Sequence, residues 1–482
     1  MRWPYILKII GVMVLTIGFL MLLPLLCSLW YQDASRVPIA VSMAITVAVG
    51  SLLYMCFSFP IKEALTQREG MAIVALGWTT VGFFGALPFY LGGIFPGFTD
   101  AVFESVSGFT TTGSSVLTDI ASLPKGLLFW RSQIQWLGGM GIIVMSVAVL
   151  PFLGVGGMQL YKAEVPSPVP DKLTPRISES AMILWRVYAG ISVVEVIFLL
   201  FGGMSLYDAV CHTFTTMPTG GFSTKNLSVA GFDSVYIDMV ITIFMIIAGI
   251  NFSLHFQLLR GRPLAFWRDT ECRFFLIVVG LLTVLVTLNL WGPVYDTAGA
   301  AFRYGFFQVV SIITTTGYAT ADYELWPAFS QVVIFFLMFM GASAGSTGGG
   351  MKCVRLLVAV KYCYRELFKL IHPHAVAQVK LGGVSVGDDV VRSIMGFLAL
   401  YILLFMVGSL IMASLGVDIL TAISSVASCI GNIGPGFGFV GPAENFSAIP
   451  ALGKWVLVWC MLLGRLEIYT VIILLVPEFW RR

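Results

Sequence analysis

Charge is scarce in this 482-residue chain: Asp, Glu, Lys and Arg make up 11% of it, against roughly 25% in a soluble domain. Histidine is rarer still, with four copies, which converge in no topology we can draw. None of the eight cysteines forms a C-x-x-C pair. Cys353, Cys363, His372 and His374 lie near one another, but their spacing fits no standard zinc site. No structural disulfide is expected. A net charge of +3 offers nothing to a polyanion. These absences exclude a soluble globular enzyme, a disordered chain and a nucleic-acid binder. They also argue against a membrane enzyme, which needs clustered catalytic groups. What the chain has is apolar residues, 58% of its length, with a mean hydropathy of +0.92.

A helix needs about 20 apolar residues to cross a bilayer. Ten such runs are present, near 6–30, 38–60, 71–93, 128–155, 183–203, 236–259, 273–292, 328–360, 391–415 and 452–477. The first is too long for a signal peptide and lacks a small-residue cleavage site, so it reads as a retained span. An even number puts both termini on one side. That side, with the loops near 61–70, 156–182, 260–272 and 361–390, carries 21 of the 28 lysines and arginines. The opposite side carries six, and Arg465 remains within the last span. The positive-inside rule makes the basic side cytoplasmic.

The connections after the third, fifth, seventh and ninth runs resemble one another, and repeats bear directly on the fold. They read DAVFESVSGFTTTGSS (100–115), DAVCHTFTTMPTGGFS (208–223), AFRYGFFQVVSIITTTGYAT (301–320) and DILTAISSVASCIGNIGPGFG (418–438). Two exact T-T-T-G copies, at 110–113 and 314–317, are joined by P-T-G-G and N-I-G-P at matching places. Thr112-Gly113, Thr219-Gly220, Thr316-Gly317 and Ile433-Gly434 are the expected equivalents. Asp100 precedes Gly113 by 13 residues, Asp208 precedes Gly220 by 12, and Asp418 precedes Gly434 by 16. The three aspartates suit helix N-caps. Each segment then reads as a short re-entrant helix ended by a glycine. Irregular backbone at membrane depth is tolerated only where it lines water or is buried in protein. Four such segments around one axis form a ring of carbonyl oxygens, which replaces a cation's hydration shell. The short helices aim negative C-terminal ends at the same axis.

On these motifs the sequence resembles the Trk/Ktr/HKT superfamily of potassium transporters, in its Trk branch, over the whole chain. The resemblance implies an all-α polytopic membrane protein. Ten transmembrane helices and four re-entrant pore helices are arranged as four span–pore-loop–span repeats in pseudo-fourfold array. Residues 1–70 are two extra spans; the repeats are 71–160, 161–262, 263–370 and 371–482. It implies potassium as the transported ion, held by Thr111, Thr112, Gly113, Thr219, Gly220, Thr315, Thr316, Gly317, Asn432, Ile433 and Gly434. It also implies a homodimer in the bacterial cytoplasmic membrane, with a path in each protomer and a cytoplasmic ring subunit binding NAD or ATP. No nucleotide motif occurs in this chain. Against the T-V-G-Y-G of tetrameric channels, only Gly317-Tyr318 keeps the aromatic, so looser selectivity, passing sodium or rubidium, is expected. Ion-coupled symport is the alternative to a gated channel.

The eighth run contains GASAGSTGGGMK (341–352). Glycines cost a helix up to about 1 kcal/mol each against alanine, so a broken helix is expected, with Gly345, Gly348, Gly349, Gly350 and Lys352 in a loop across the path. Small-residue helix packing is the simpler alternative. A phosphate-binding loop is not, because Met351 separates the last glycine from Lys352 and no strand precedes it. Arg465 lies near mid-membrane, where a charge is expensive and faces a cavity or a partner. By the resemblance it stands on the ion path near the loop. Glu467, two residues on, points elsewhere on a helix. Glu104 either supports the filter backbone or faces the vestibule. Glu195 is a partnered structural charge or part of a proton route, and Asp238 is undecided. Residues 156–182, with the Pro-rich strip 165–175, and 353–390, with an amphipathic surface helix over 361–380, are the expected docking faces for the ring subunit.

Overall fold

The computed structural model describes residues 1–57, 66–148 and 174–480. Most of the expected docking face 156–182, with its 165–175 strip, lies outside the described residues, as does the first half of the loop near 61–70. The described chain is mostly helical. Among the described residues six helices are long and apolar enough to cross a membrane: Trp3–Tyr31, Arg36–Cys56, Arg68–Leu91, Ala181–Phe201, Thr270–Leu290 and Asp388–Ser414. Two bent pairs meet the same test, Val235–Gly249 with Phe252–Leu259 and Ala451–Arg465 with Ile468–Leu475. Two expected runs remain. One holds the helix Lys125–Ala148, which reaches the edge of the described residues; the other is split into Ala328–Leu337 and Cys353–Ile371.

The first two long helices pack through glycine. A Cβ on Gly50 would press into the backbone of Leu15, and one on Gly11 into Leu53. Small residues let helix backbones approach closely, which is how apolar helices associate in lipid. The pair is fastened to the rest by Asp33, whose carboxylate accepts the N–H groups of Gly126 (2.8 Å) and Ser35 (2.9 Å).

Four short helices sit between pairs of longer ones: Phe98–Phe109, Leu206–Thr216, Ala298–Ile313 and Ile419–Gly431. Their N-caps correct the sequence reading in two places. Asp418 is an N-cap, accepting the Thr421 N–H at 3.0 Å. Asp100 and Asp208 instead lie in the first turn, behind the N-caps Gly97 and Ser205. Thr297 caps the third helix. An N-cap needs extended backbone, which Gly97 supplies without an acceptor, and serine and threonine add an acceptor as aspartate does.

Two breaks are the second difference. The runs 236–259 and 452–477 are bent by 100° and 119° rather than straight. At the first bend the Asn251 side chain accepts the Ser253 N–H (2.8 Å) and starts a new helix. At the second, Glu467 adopts φ +60, off the helix, and pairs with Arg355 at 2.6 Å. The third break is the expected one at 341–352. The helix that follows it is Cys353–Ile371; its part from 361 on lies at the surface as expected but ends at 371 rather than 380. It packs on the start of Asp388–Ser414 and on a two-stranded hairpin, Lys380–Leu381 with Val384–Ser385, through Val354, Val358, Leu381, Val391 and Ile394.

Candidate functional site

Each short helix runs into an extended segment by one repeated hydrogen bond. The N–H groups of Thr112, Gly220, Thr316 and Ile433 return to the carbonyls of Ser107, Thr215, Ser311 and Ser428 at 2.8–2.9 Å. The residue before each, Thr111, Thr219, Thr315 and Asn432, has φ between +52 and +60. The residue after each, Gly113, Gly221, Gly317 and Gly434, has φ between +74 and +111. The glycine equivalent to Gly113 is therefore Gly221, not Gly220. With that register Asp208 precedes its glycine by 13 residues, as Asp100 does. The N-caps Gly97, Ser205 and Asp418 each precede the left-handed residue by 14, and Thr297 does so by 18, one helical turn more.

A left-handed threonine costs roughly 1–2 kcal/mol. Three of the four segments hold one, and such strain persists where the surroundings over-determine it, typically at functional sites. Alternating handedness keeps successive carbonyls on one side, where an ordinary strand alternates them.

The four segments close into one ring. A Cβ built on Gly113 would lie within 3.0 Å of the carbonyl oxygen of Gly220. Gly221 stands in that relation to the oxygen of Thr316, Gly317 to that of Ile433, and Gly434 to that of Thr112. Each glycine abuts the next segment's carbonyl, and the fourth returns to the first.

The seams between segments are braced from behind. Arg131 donates to Glu104 (2.6 Å) and to the Ser223 carbonyl (3.1 Å), joining the first segment to the second. Glu104, wholly buried, also accepts the Val116 N–H at 3.0 Å, so of its two expected roles it has backbone support. The Tyr318 hydroxyl donates to the His212 carbonyl (3.1 Å) and meets Thr215 Oγ1 across the next seam, and Asp238 pairs with Arg303 at 2.7 Å. Tyr323 donates to the Gly436 carbonyl at 2.8 Å across the third. The fourth is crossed by Asn432 Nδ2 to Thr112 Oγ1 (3.0 Å), Ser114 Oγ to the Gly434 carbonyl (3.0 Å), and the Lys454–Asp100 pair (2.6 Å).

The glycine-rich loop lies against the C-terminal ends of the short helices. Gly349 N–H donates to Thr315 Oγ1 at 2.6 Å, and Thr347 Oγ1 donates to the Met217 carbonyl at 2.9 Å. A Cβ on Gly349 would meet the Gly431 carbonyl at 2.6 Å. Gly345 and Gly350 have φ +73 and +64, which a side chain rarely adopts. Lys352 Nζ donates to the Gly348 carbonyl, closing the loop on itself. Arg465, the last residue of its helix and 3% exposed, donates to the carbonyls of Thr347 (2.7 Å) and Gly138 (3.4 Å). All three helix breaks meet here: the Ser343 N–H donates to the Gly249 carbonyl at 3.0 Å, and Phe252 N–H donates to that of Gly345 at 3.0 Å.

Two residues here escaped the sequence reading. Glu271 Oε1 accepts the N–H groups of Ala344 (2.7 Å) and Val354 (3.0 Å), holding both ends of the loop. Gln135 reaches the second segment of the ring, at Gly220. Glu271 was visible only as an acid at the edge of a span, and Gln135 left no signal. Glu195 is fully buried beside Thr216, whose hydroxyl donates to the His212 carbonyl, and among the described residues neither carboxylate oxygen accepts a hydrogen bond of ordinary length.

The family model for TrkH, described as a cation transport protein, matches residues 36–482. The chain is 44% identical over 486 residues to the Trk system potassium uptake protein TrkH of Salmonella typhimurium, covering 100% of both chains. It is 36% identical over 478 residues to the Trk system potassium uptake protein TrkG of Escherichia coli, covering 98% of this chain and 97% of that one. Its fold matches the crystal structure of the potassium transporter TrkH from Vibrio parahaemolyticus with a TM-score of 0.93 at 39% identity, covering 100% of both.

Proposed function

The chain belongs to the TrkH family of cation transport proteins, and from that premise we propose that it takes potassium ions up across the bacterial cytoplasmic membrane through the ring formed by its four extended segments. The observation that carries this reading is the closed order of contacts, from Gly113 to Gly220, Gly221 to Thr316, Gly317 to Ile433 and Gly434 to Thr112. Four peptide oxygens at one level suit a dehydrated monovalent cation. Thr111, Thr219, Thr315 and Asn432 set the strand geometry, and Gly113, Gly221, Gly317 and Gly434 leave room for the neighbouring oxygens. Relatives carry the name of a potassium uptake system, which supports potassium as the ion.

The loop at 341–352 is the gate. It lies across the exit from the ring, fastened by Arg465 above the Thr347 carbonyl and by Glu271 at its ends. Arg465 places a fixed positive charge where a cation must pass, a barrier that moves when the loop moves. A cytoplasmic nucleotide-binding subunit controls that movement by docking on the face around Cys353–Ile371, whose outer side exposes Val360, Tyr364, Leu367 and Leu370. The chain works as a homodimer, with lipid around its apolar faces and both termini on the basic, cytoplasmic side. One observation favours the symport reading: Glu195 is a fully buried carboxyl inside a span, with Thr216 beside it and no cation paired to it among the described residues. Flux that follows the potassium gradient and voltage alone excludes it.

The test is potassium-limited growth of an uptake-deficient host. The chain restores growth, and Gly113→Ser does not, because its side chain enters the ring. Growth that Gly113→Ser supports as well as the parent does overturns the reading.

A further inference from the structure

The ring has one irregular member. Thr112, Thr316 and Ile433 bring β-branched side chains to the ring position, whereas the second segment brings Gly220. In the first and third segments the ring threonine is also held by its neighbour two residues back: Thr110 and Thr112 hydroxyls lie 2.7 Å apart, Thr314 and Thr316 hydroxyls 2.8 Å apart. The second segment has Pro218 and Gly220 at those places and can make no such pair.

Gln135 fills the gap. It comes from the Lys125–Ala148 helix, which follows the first segment, and its side chain is fully buried. Its Nε2 donates to the Gly220 carbonyl at 2.7 Å, and its Oε1 accepts the Phe222 N–H at 3.2 Å. A Cβ on Gly220 would fall within 3.0 Å of the Gln135 amide, so a side chain at 220 and Gln135 compete for one space. Among the described residues no hydrogen bond is donated to the ring oxygens of Thr112, Thr316 or Ile433.

We propose that Gln135 is a specificity-determining residue of the ring, its amide standing in for the side chain missing at Gly220 and anchoring one of the four oxygens. The inference rests on the reading of the ring as the ion filter. An oxygen held from behind resists being drawn inward, so the ring closes less well on sodium than on potassium. Its share of the donated proton also weakens its pull on the ion.

The experiment is competitive potassium and sodium flux into vesicles. Gln135→Met keeps length and loses both hydrogen bonds; it lowers the potassium preference by about tenfold, the size of one buried hydrogen bond. Gly220→Thr alone abolishes flux by colliding with Gln135. Gln135→Ala combined with Gly220→Thr recovers flux at least about tenfold over that single variant, because a fourth side chain then occupies the space. An unchanged preference in Gln135→Met, or a double variant as inactive as Gly220→Thr, overturns the inference. Gly113→Ala run alongside separates the readings: if it too leaves preference and flux unchanged, the filter itself is misassigned; if it destroys them while the Gln135 variants change nothing, only the role of Gln135 fails.

Discussion

The ring and the loop beneath it are both irregular backbone buried in the same helical frame, yet they are held in different ways. Around the ring, each seam is crossed by at least one direct hydrogen bond between protein groups, and three of the four by a tyrosine or an ion pair. Beneath it, the loop has backbone bonds of its own, such as Ser343 N–H to the Gly249 carbonyl and Phe252 N–H to that of Gly345, and it also hangs on two buried charges: Arg465 holds one carbonyl closely and another at 3.4 Å, and Glu271 holds two N–H groups. Neither network is complete: among the described residues Thr111 Oγ1 and Asn432 Oδ1 of the ring lack a hydrogen-bond partner, as do Ser343 Oγ and Arg465 Nε. On the proposed function, with the ring as filter and the loop as gate, the two regions respond to mutation with opposite signs.

Damage to the ring removes transport. Gly317→Ala drives a Cβ into the Ile433 carbonyl, and we expect potassium flux to fall by at least about a hundredfold, near 2.7 kcal/mol of barrier, with the protein still purifying as folded. Rubidium uptake by proteoliposomes measures it. Glu104→Leu leaves Arg131 buried and unpaired behind the same ring; that costs about 3–5 kcal/mol of stability, read as a lowered unfolding temperature in detergent.

Damage to the loop's ties has the contrary effect. Arg465→Ala removes the barrier charge and a fastening of Thr347, and raises cation flux about tenfold, or 1.4 kcal/mol. Unchanged or lower flux in a folded variant removes the distinction between the regions. Glu271→Leu frees the N–H groups of Ala344 and Val354, at about 1–3 kcal/mol for unmade hydrogen bonds, and raises flux less, by a fewfold.

The smallest effect lies far from both. Burial pushes the Asp33 carboxyl up, but the Ser28 and Ser35 hydroxyls and the Gly126 and Ser35 N–H groups outweigh it and hold the carboxyl below its ordinary value of 3.8. A lowered acid contributes stability above its unfolded value and loses it as pH falls through the folded one. Asp33→Asn therefore weakens the docking of the two N-terminal helices by about 1 kcal/mol at neutral pH, and the difference from the parent shrinks below about pH 4. Neither ring nor loop should respond, so flux stays at the parent level.

The spans were legible because hydropathy is a property of about twenty residues at once. The bends at 250–251 and 466–467 were not, because Ile250 and Leu466 are apolar and each break depends on partners brought from elsewhere: Gly345 for one and Arg355 for the other. The four segments stood out as near copies, yet T-G-G in the second gives two candidate glycines. The bond from Gly220 N–H to Thr215 and the positive φ of Thr219 and Gly221, which appear only in the folded chain, show that Gly221 matches Gly113. Counting from the aspartates misled for a related reason: Asp418 caps its helix, while Asp100 and Asp208 lie in the first turn. The break at 341–352 was readable from composition alone, since so many glycines do not sustain a helix.

Rubidium scatters anomalously and can replace potassium, so crystals of the protein grown in rubidium report directly on where the cation rests. One anomalous peak is expected on the axis bounded by the carbonyl oxygens of Thr112, Gly220, Thr316 and Ile433, lost in Gly317→Ala. Rubidium bound elsewhere, with that ring empty, would contradict it.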